Sequence, residues 1–525
     1  MVVPELRPWR AVRPRVARVA GAVRPRLARA VRAARPRIAQ LGRAVSTQVT
    51  RPKTWQYTAG AATAGLALAV GVVTAAGPWD SSGQRTAERD RSVTAGHTGG
   101  ADHGRNSATA PEEPRPAPSA ASVLTGLGGT TGGAKSSHGT KALAGVLDPL
   151  LDAPGLGARH AAAVVDVAGG ERLYGADDTT ALTPASTTKI ATAAAALSAL
   201  GPDHRLTTRT ALEPGTGELV LVGGGDPTLT AREDADGNAD LRTLAKDTAA
   251  ALKKDGVREV TLSYDTTLYA GDEVHPIGVN DNLAPVTALM ADEARTDDSD
   301  RGPAPRAGEP AAEAARAFAD LLAEHGVKTS APGPSKATSR AETLAEVSSP
   351  PLATLVERML TNSDNDIAEA LARHTALATG ERPDFDGGGR AIHAELKKLG
   401  LPVQGAEFKD GSGLNRDDRL TARLLTALLA QSGDPAHPEL RPILTGLPVA
   451  GFTGTLTSRY TDGAAGLVRA KTGTLTGVNA LAGTVVDRDG HLLAFAFLTT
   501  DTTDPGAAQS ALDAAANALA ACGCV

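Results

Sequence analysis

The chain has 525 residues, enough for about three domains and a sizeable core, and 3% of them are aromatic, so that core must be built from Ala, Val and Leu. Two cysteines exclude a disulfide scaffold and a four-ligand zinc site of the usual kind. The net charge of −5 hides a split, because residues 1–53 hold 14 Lys and Arg against Glu5 alone while the remainder holds 40 basic and 58 acidic residues.

Residues 12–40 repeat Val12-Arg-Pro-Arg-Val-Ala-Arg, Val23-Arg-Pro-Arg-Leu-Ala-Arg and Ala34-Arg-Pro-Arg-Ile-Ala-Gln at an 11-residue period. Their prolines forbid one long helix. Residues 1–53 therefore read as a flexible basic cytoplasmic tail drawn to anionic lipid, and no nucleic-acid partner is expected. Residues 54–79 carry no charge, and 58–77 is an apolar, small-residue run of 20, long enough to cross a bilayer. Trp55, Tyr57 and Trp79 flank it as an interfacial aromatic belt would. The basic head places the N-terminus in the cytoplasm and everything after the run outside. The run reads as a retained transmembrane anchor in the cell membrane. A cleaved signal peptide is the alternative, given small-residue sites at Val73-Thr-Ala75 and Thr74-Ala-Ala76. Residues 80–141, rich in Gly, Ser, Thr, Pro and charge and without aromatics, read as a disordered extracellular linker.

Folded sequence begins near Ala142. Residues 160–167, a Gly169-Gly170 turn and residues 171–174 predict a hairpin leading to an Ala-rich helix that stops at Gly201-Pro202. The first turn of that helix holds Ser186 and, three residues on and on the same face, Lys189. Short strands (218–222, 260–263) and helices (241–254, 313–325) follow. Residues 352–379 are helical around a polar turn, Thr361-Asn-Ser-Asp-Asn-Asp366. Strands at 466–472, 478–486 and 491–499 and a helix at 505–521 close the chain. The outer parts, 142–205 and 346–525, predict one α/β (α+β) domain, an antiparallel sheet flanked by helices, with 206–345 as a β-rich insertion. Cys522 and Cys524 read as part of a disordered tail, with a strained disulfide or an oligomer link as alternatives.

An amine beside a serine is a recognised way to make the hydroxyl nucleophilic near neutral pH. A helix N-terminus favours an oxyanion and helps to depress the pKa of a nearby lysine. Alone, the pair Ser186-x-x-Lys189 is weak, with about half a chance match per chain of this composition. Two partners stand on the same frame. Ser363-Asp-Asn365 lies in the polar turn, where a helix cap would also explain it. Lys471-Thr-Gly473, followed by Thr474, lies on a strand. The three chance rates multiply to about 0.03, and the required order divides that by about six. The stretches Gly223-Gly-Gly225-Asp-Pro227 and Asp410-Gly-Ser-Gly413 read as tight turns. The 11 histidines form no His-x-x-x-His pair, and no metal is called for.

The ordered trio Ser-x-x-Lys, Ser-x-Asn and Lys-Thr-Gly resembles the signature of penicillin-binding proteins and serine β-lactamases. Within that group the chain looks like the D-alanyl-D-alanine carboxypeptidase/endopeptidase family of class C low-molecular-mass penicillin-binding proteins. Val222-Gly-Gly-Gly-Asp-Pro-Thr-Leu229, Asp410-Gly-Ser-Gly-Leu414 and Leu447-Pro-Val-Ala-Gly451 add to the likeness. It covers roughly residues 142–520. It implies a β-lactamase/transpeptidase-like domain with a helical subdomain, no cofactor, peptidoglycan peptides as substrate and β-lactams as covalent inhibitors. It also implies roles. Ser186 is the nucleophile, Lys189 its base, Ser363 the proton relay to the leaving amine, and Asn365 the holder of a substrate amide. Lys471, Thr472 and Thr474 draw the terminal carboxylate, the N–H groups of Ser186 and Thr474 hold the oxyanion, and Gly473 leaves room for the substrate strand. A β-lactamase or esterase on the same fold, and a non-catalytic wall sensor, are the alternatives.

Overall fold

The computed structural model describes residues 137–460 and 463–523. The basic tail, the apolar run at 54–79 and the linker up to residue 136 lie outside the described residues. Among the described residues no helix is long and apolar enough to cross a membrane. The elements begin with α1 (Ser137–Leu151), β1 (Arg159–Asp166), β2 (Arg172–Ala176) and α2 (Thr188–Leu200). Next come β3 (Thr207–Leu212), β4 (Glu218–Val222), α3 (Leu241–Lys254), β5 (Glu259–Asp265), α4 (Pro310–Glu324), β6 (Lys328–Thr329), β7 (Gly333–Pro334) and β8 (Glu342–Ser348). The chain continues through α5 (Leu352–Asn362), α6 (Asn365–Thr379), α7 (Phe385–Lys398), α8 (Ala422–Gly433) and α9 (Arg441–Gly446). It ends with β9 (Val468–Leu475), β10 (Val478–Val486), β11 (Leu492–Thr500) and α10 (Pro505–Ala521). The last residues of the expected linker are thus the start of α1.

Strands from the two ends of this sequence make one antiparallel sheet in the order β2–β1–β11–β10–β9, with Ala163 opposite Ala496 and Ala482 opposite Lys471. Successive side chains on a strand point to opposite faces, and here the two faces differ in size. Ala161, Ala163, Ala480, Ala482, Ala494 and Ala496 face α2, α5, α6 and α8. Ala162, Val164, Leu481, Leu493, Phe495 and Phe497 face α1 and α10. The small face lets α2, itself buried through Ala191 and Ala193 to Ala196, lie close to the sheet. In a chain poor in aromatics, close Ala–Ala approach is how density is reached on that side. On the other side Phe495 and Phe497, ring centroids 5.1 Å apart, each contribute on the order of 2–3 kcal/mol by burial. Cys522 is buried with this second cluster and is disulfide-bonded, so it does not stand in a disordered tail.

The second sheet runs β6–β5–β4–β3–β8, with β7 also beside β5. Its β4–β5 pair is parallel, which a chain makes only by crossing over, and α3 is the crossover. Leu219, Leu221, Val260 and Leu262 face α3 and α4 in a separate core. The sequence predicts a β-rich insertion. The structure gives it a six-stranded sheet, and the helices expected at 241–254 and 313–325 pack on that sheet with 14 and 15 residues. Gly223 and Gly224 are more than a tight turn, because a Cβ on either would run into the backbone of Ala288 or Thr207.

Candidate active site

Ser186 sits in a 3-10 turn, Ala185–Thr187, immediately before α2 rather than inside the helix's first turn. Ala185 holds φ at 48°, a left-handed conformation that a β-carbon disfavours and that tertiary packing must maintain. Lys189 is fully buried one turn on. Its Nζ lies 3.1 Å from Ser186 Oγ, 2.7 Å from Asn365 Oδ1 and 2.6 Å from the carbonyl oxygen of Ser412. Two of these partners are acceptors only and the third carries its own proton. Nζ donates to all three, and loss of one proton would leave a lone pair free to take the proton of the Ser186 hydroxyl. Burial pushes the Lys189 pKa down to about 8, against the opposing pull of Asp410 and Glu369.

The second motif is rigid because it ends one helix and starts another. Leu352, Leu355, Val356, Met359 and Leu360 form the buried stripe of α5 at helical spacing. Ser363 stops that helix at φ 60°, and Asp364 caps the next, accepting from Ile367 N at 3.0 Å. Asn365 is then the first residue of α6, with its Nδ2 donating to Asn282 O at 2.8 Å.

The third motif lies on β9, the edge strand of the central sheet. Thr472 and Thr474 point into the cavity described below, and Lys471, fully buried, does not line it. Lys471 Nζ donates to Thr472 O at 2.9 Å, and burial together with the neighbouring Lys189 holds its pKa well below the usual lysine range. Gly473 also has a packing role. A Cβ there would stand 2.7 Å from Pro184 O and 3.2 Å from Ala185 Cβ, so its missing side chain makes room for the Ser186 turn. Gly473→Ala is expected to push β9 off that turn. It should slow acylation about 10–100-fold and destabilise by about 1–3 kcal/mol, read by stopped-flow acylation and thermal unfolding.

Ser186, Ser363, Asn365, Thr472 and Thr474 line one cavity of about 230 Å³. Residues 177 positions apart in sequence, Ser186 and Ser363, share its walls. Asn282, Arg295 and Arg306, from the loop between β5 and α4, line the same space and carry no motif that would announce them. The Ser412 carbonyl is the other partner that sequence reasoning missed. Glu369 accepts from Gly411 N and Ser412 N at 3.1 and 2.9 Å, Asp410 accepts from Gly413 N at 2.6 Å, and His275 Nε2 lies 2.9 Å from Asp410 Oδ2. Gly413, at φ 82°, packs against the Ala185 carbonyl, so this turn supports the nucleophile turn as well. The Asp-Gly-Ser-Gly spelling was the available signal, but a tight turn alone explains it equally well.

The arrangement sets a serine hydroxyl against a buried amine, beside an edge strand and a second hydroxyl. The profile of the family described as D-Ala-D-Ala carboxypeptidase 3 (S13) matches residues 143–301 and 301–519. A carboxypeptidase of Mycobacterium tuberculosis is 36% identical over 388 residues, covering 71% of this chain and 82% of that protein. A D-alanyl-D-alanine carboxypeptidase of Actinomadura sp. is 32% identical over 454 residues, covering 68% of this chain and 81% of that one. The crystal structure of penicillin binding protein 4 from Haemophilus influenzae shares the fold, with a TM-score of 0.59 at 21% identity over 71% of this chain and 97% of that one. The chain belongs to the D-Ala-D-Ala carboxypeptidase 3 (S13) family.

Proposed function

We propose that the protein is a serine-type D-Ala-D-Ala carboxypeptidase that acts on peptidoglycan stem peptides through an acyl-enzyme at Ser186 and is acylated by β-lactams. The observation that carries this is the Lys189 amine, buried and bonded at once to the Ser412 carbonyl and to Ser186 and Asn365, which line a cavity shared by all three motifs. The relatives named as carboxypeptidases support it.

In this reading Ser186 Oγ attacks the carbonyl carbon of the penultimate D-Ala while Lys189 takes the hydroxyl proton. The N–H groups of Ser186 and Thr474 hold the oxyanion, the kind of preorganised pair worth several kcal/mol in the transition state. The C–N bond breaks, Ser363 passes a proton to the departing amine, and D-Ala leaves. Water then hydrolyses the ester on Ser186. Asn365 keeps one amide proton for the substrate, its other going to Asn282 O. The terminal carboxylate lies against the Thr472 and Thr474 hydroxyls. Its charge favours the protonated form of Lys471 behind them, which adds attraction when substrate is present. The basic head and the apolar run at 54–79 support an anchored enzyme with this site outside the cytoplasm.

The full chain is expected to release D-Ala from a peptide ending in D-Ala-D-Ala and to form a long-lived covalent adduct with a fluorescent penicillin. Absence of both would overturn the reading, and rapid penicillin turnover would favour a β-lactamase. Cleavage of cross-linked dimers in the same assay measures the accompanying endopeptidase activity.

A further inference from the structure

The segment 266–309 joins β5 to α4 without an α-helix or strand of its own, and in a compact unit ordered loops of that length are characteristically functional. It grips the Ser363–Asn365 turn at several points. Asn282 O accepts from Asn365 Nδ2 at 2.8 Å, Ala284 N donates to Asp366 Oδ1 at 3.0 Å, and Arg306 Nη1 lies 2.9 Å from Asp366 Oδ2. The Glu293 carboxylate pairs with Arg358 on α5 and, at 2.8 Å, with Arg295 Nε. Arg306 also donates to the Glu293 carbonyl. The side chains of Glu293, Arg306 and Asp366 are 2%, 3% and 2% exposed, so solvent screens these pairs little.

Glu293 is delivered by an unusual backbone. Asp292, Glu293 and Ala294 all hold φ at 53°, three left-handed residues in a row and none a glycine. The turn is held from outside. Thr230 Oγ1 and Ala231 N donate to the Asp292 carboxylate at 2.5 and 3.1 Å, and Glu293 N donates to Pro227 O at 3.2 Å. Strain that the surroundings over-determine is characteristic of functional positions. Here it aims a buried acid at the middle motif, with the Glu293, Asp364 and Asp366 carboxylates within 4.8 Å of one another. Arg295, Arg306 and Arg358 compensate those three acids, so removal of any one group leaves buried charge unpaired.

We infer that Glu293 and Arg306 are positioning residues through which the inserted unit holds Ser363 and Asn365 in register with Ser186 and Lys189. Neither touches the nucleophile or its base. Asn365 Oδ1 accepts from Lys189 Nζ, so a shift of the Asp366 end of the turn moves the base as well as the amide. The inserted unit is on this account part of the catalytic apparatus and not an appendage to it.

The inference rests on the proposed acylation of Ser186, and its test separates the two. If the wild-type full chain forms no penicillin adduct, that reading fails. If it does, Glu293→Gln, which keeps the shape, and Arg306→Met are expected to acylate about 10–100-fold more slowly at temperatures where both are fully folded. The loss should fall on the first-order acylation step more than on the preceding binding constant, and Arg306→Lys should recover part of it. A purely structural role predicts a lower Tm with an unchanged acylation rate per folded molecule. Rates within twofold of wild type in both folded variants would overturn the inference, whatever their Tm. So would failure of both to fold, since the cluster would then serve the fold as a whole.

Discussion

Ser186→Ala is expected to abolish the covalent penicillin adduct and to lower D-Ala release by about 10⁴-fold or more, because loss of the nucleophile leaves only binding and oxyanion stabilisation. Thermal unfolding should change little. Ser186 is half-buried at the cavity wall, and among the described residues its Oγ accepts a hydrogen bond from the Lys189 amine, which keeps Asn365 Oδ1 and the Ser412 carbonyl as partners. Mass spectrometry of the intact protein after penicillin treatment, with activity and Tm on the same preparation, checks all three statements. An adduct that survives the substitution would place the nucleophile elsewhere.

Lys189→Met should lower acylation by about 10³-fold, at the level of a lost general base. The wild-type acylation rate should rise with pH through about 8, where the buried amine gives up its proton, and the Met variant should lose that limb. The stability consequence has a definite sign. The folded-state pKa of about 8 lies below the ordinary 10.5, so between these values the unfolded chain binds more protons than the folded one. Lys189 therefore opposes folding below that window, and the penalty fades as pH rises from about 8 to 10.5. Denaturant midpoints measured against pH should climb more steeply for wild type than for Lys189→Met. A rate that is flat across pH 7–9 would mean that Lys189 does not serve as the base.

Much of the site was legible from residue order alone. Ser186 and Lys189 are three residues apart, so any helical turn puts them on one side. Ser363 and Asn365 sit where one apolar period stops and another begins, which local capping chemistry explains. The period-two runs near the C-terminus yielded three strands at nearly the observed bounds, although β9 extends to Leu475 and so carries Thr474 within the strand. The inserted unit was less legible, because short strands separated by loops carry little periodic signal and do not reveal how they pair.

The sequence by itself thus determined the Ser186–Lys189 pair, the order of the three motifs and the main sheet, all matters of local spacing and side-chain chemistry. Only the tertiary structure decided that the third partner of Lys189 is the carbonyl of Ser412, 223 residues away. A backbone carbonyl is common to every residue and leaves no mark in sequence. The tertiary structure alone also revealed that Gly473 serves close packing against Pro184, and that Glu293 and Arg306 reach the Ser363 turn from the insertion. Charges buried together are stabilised by partners distant along the chain, and that pairing exists only once the low-dielectric interior has formed around them.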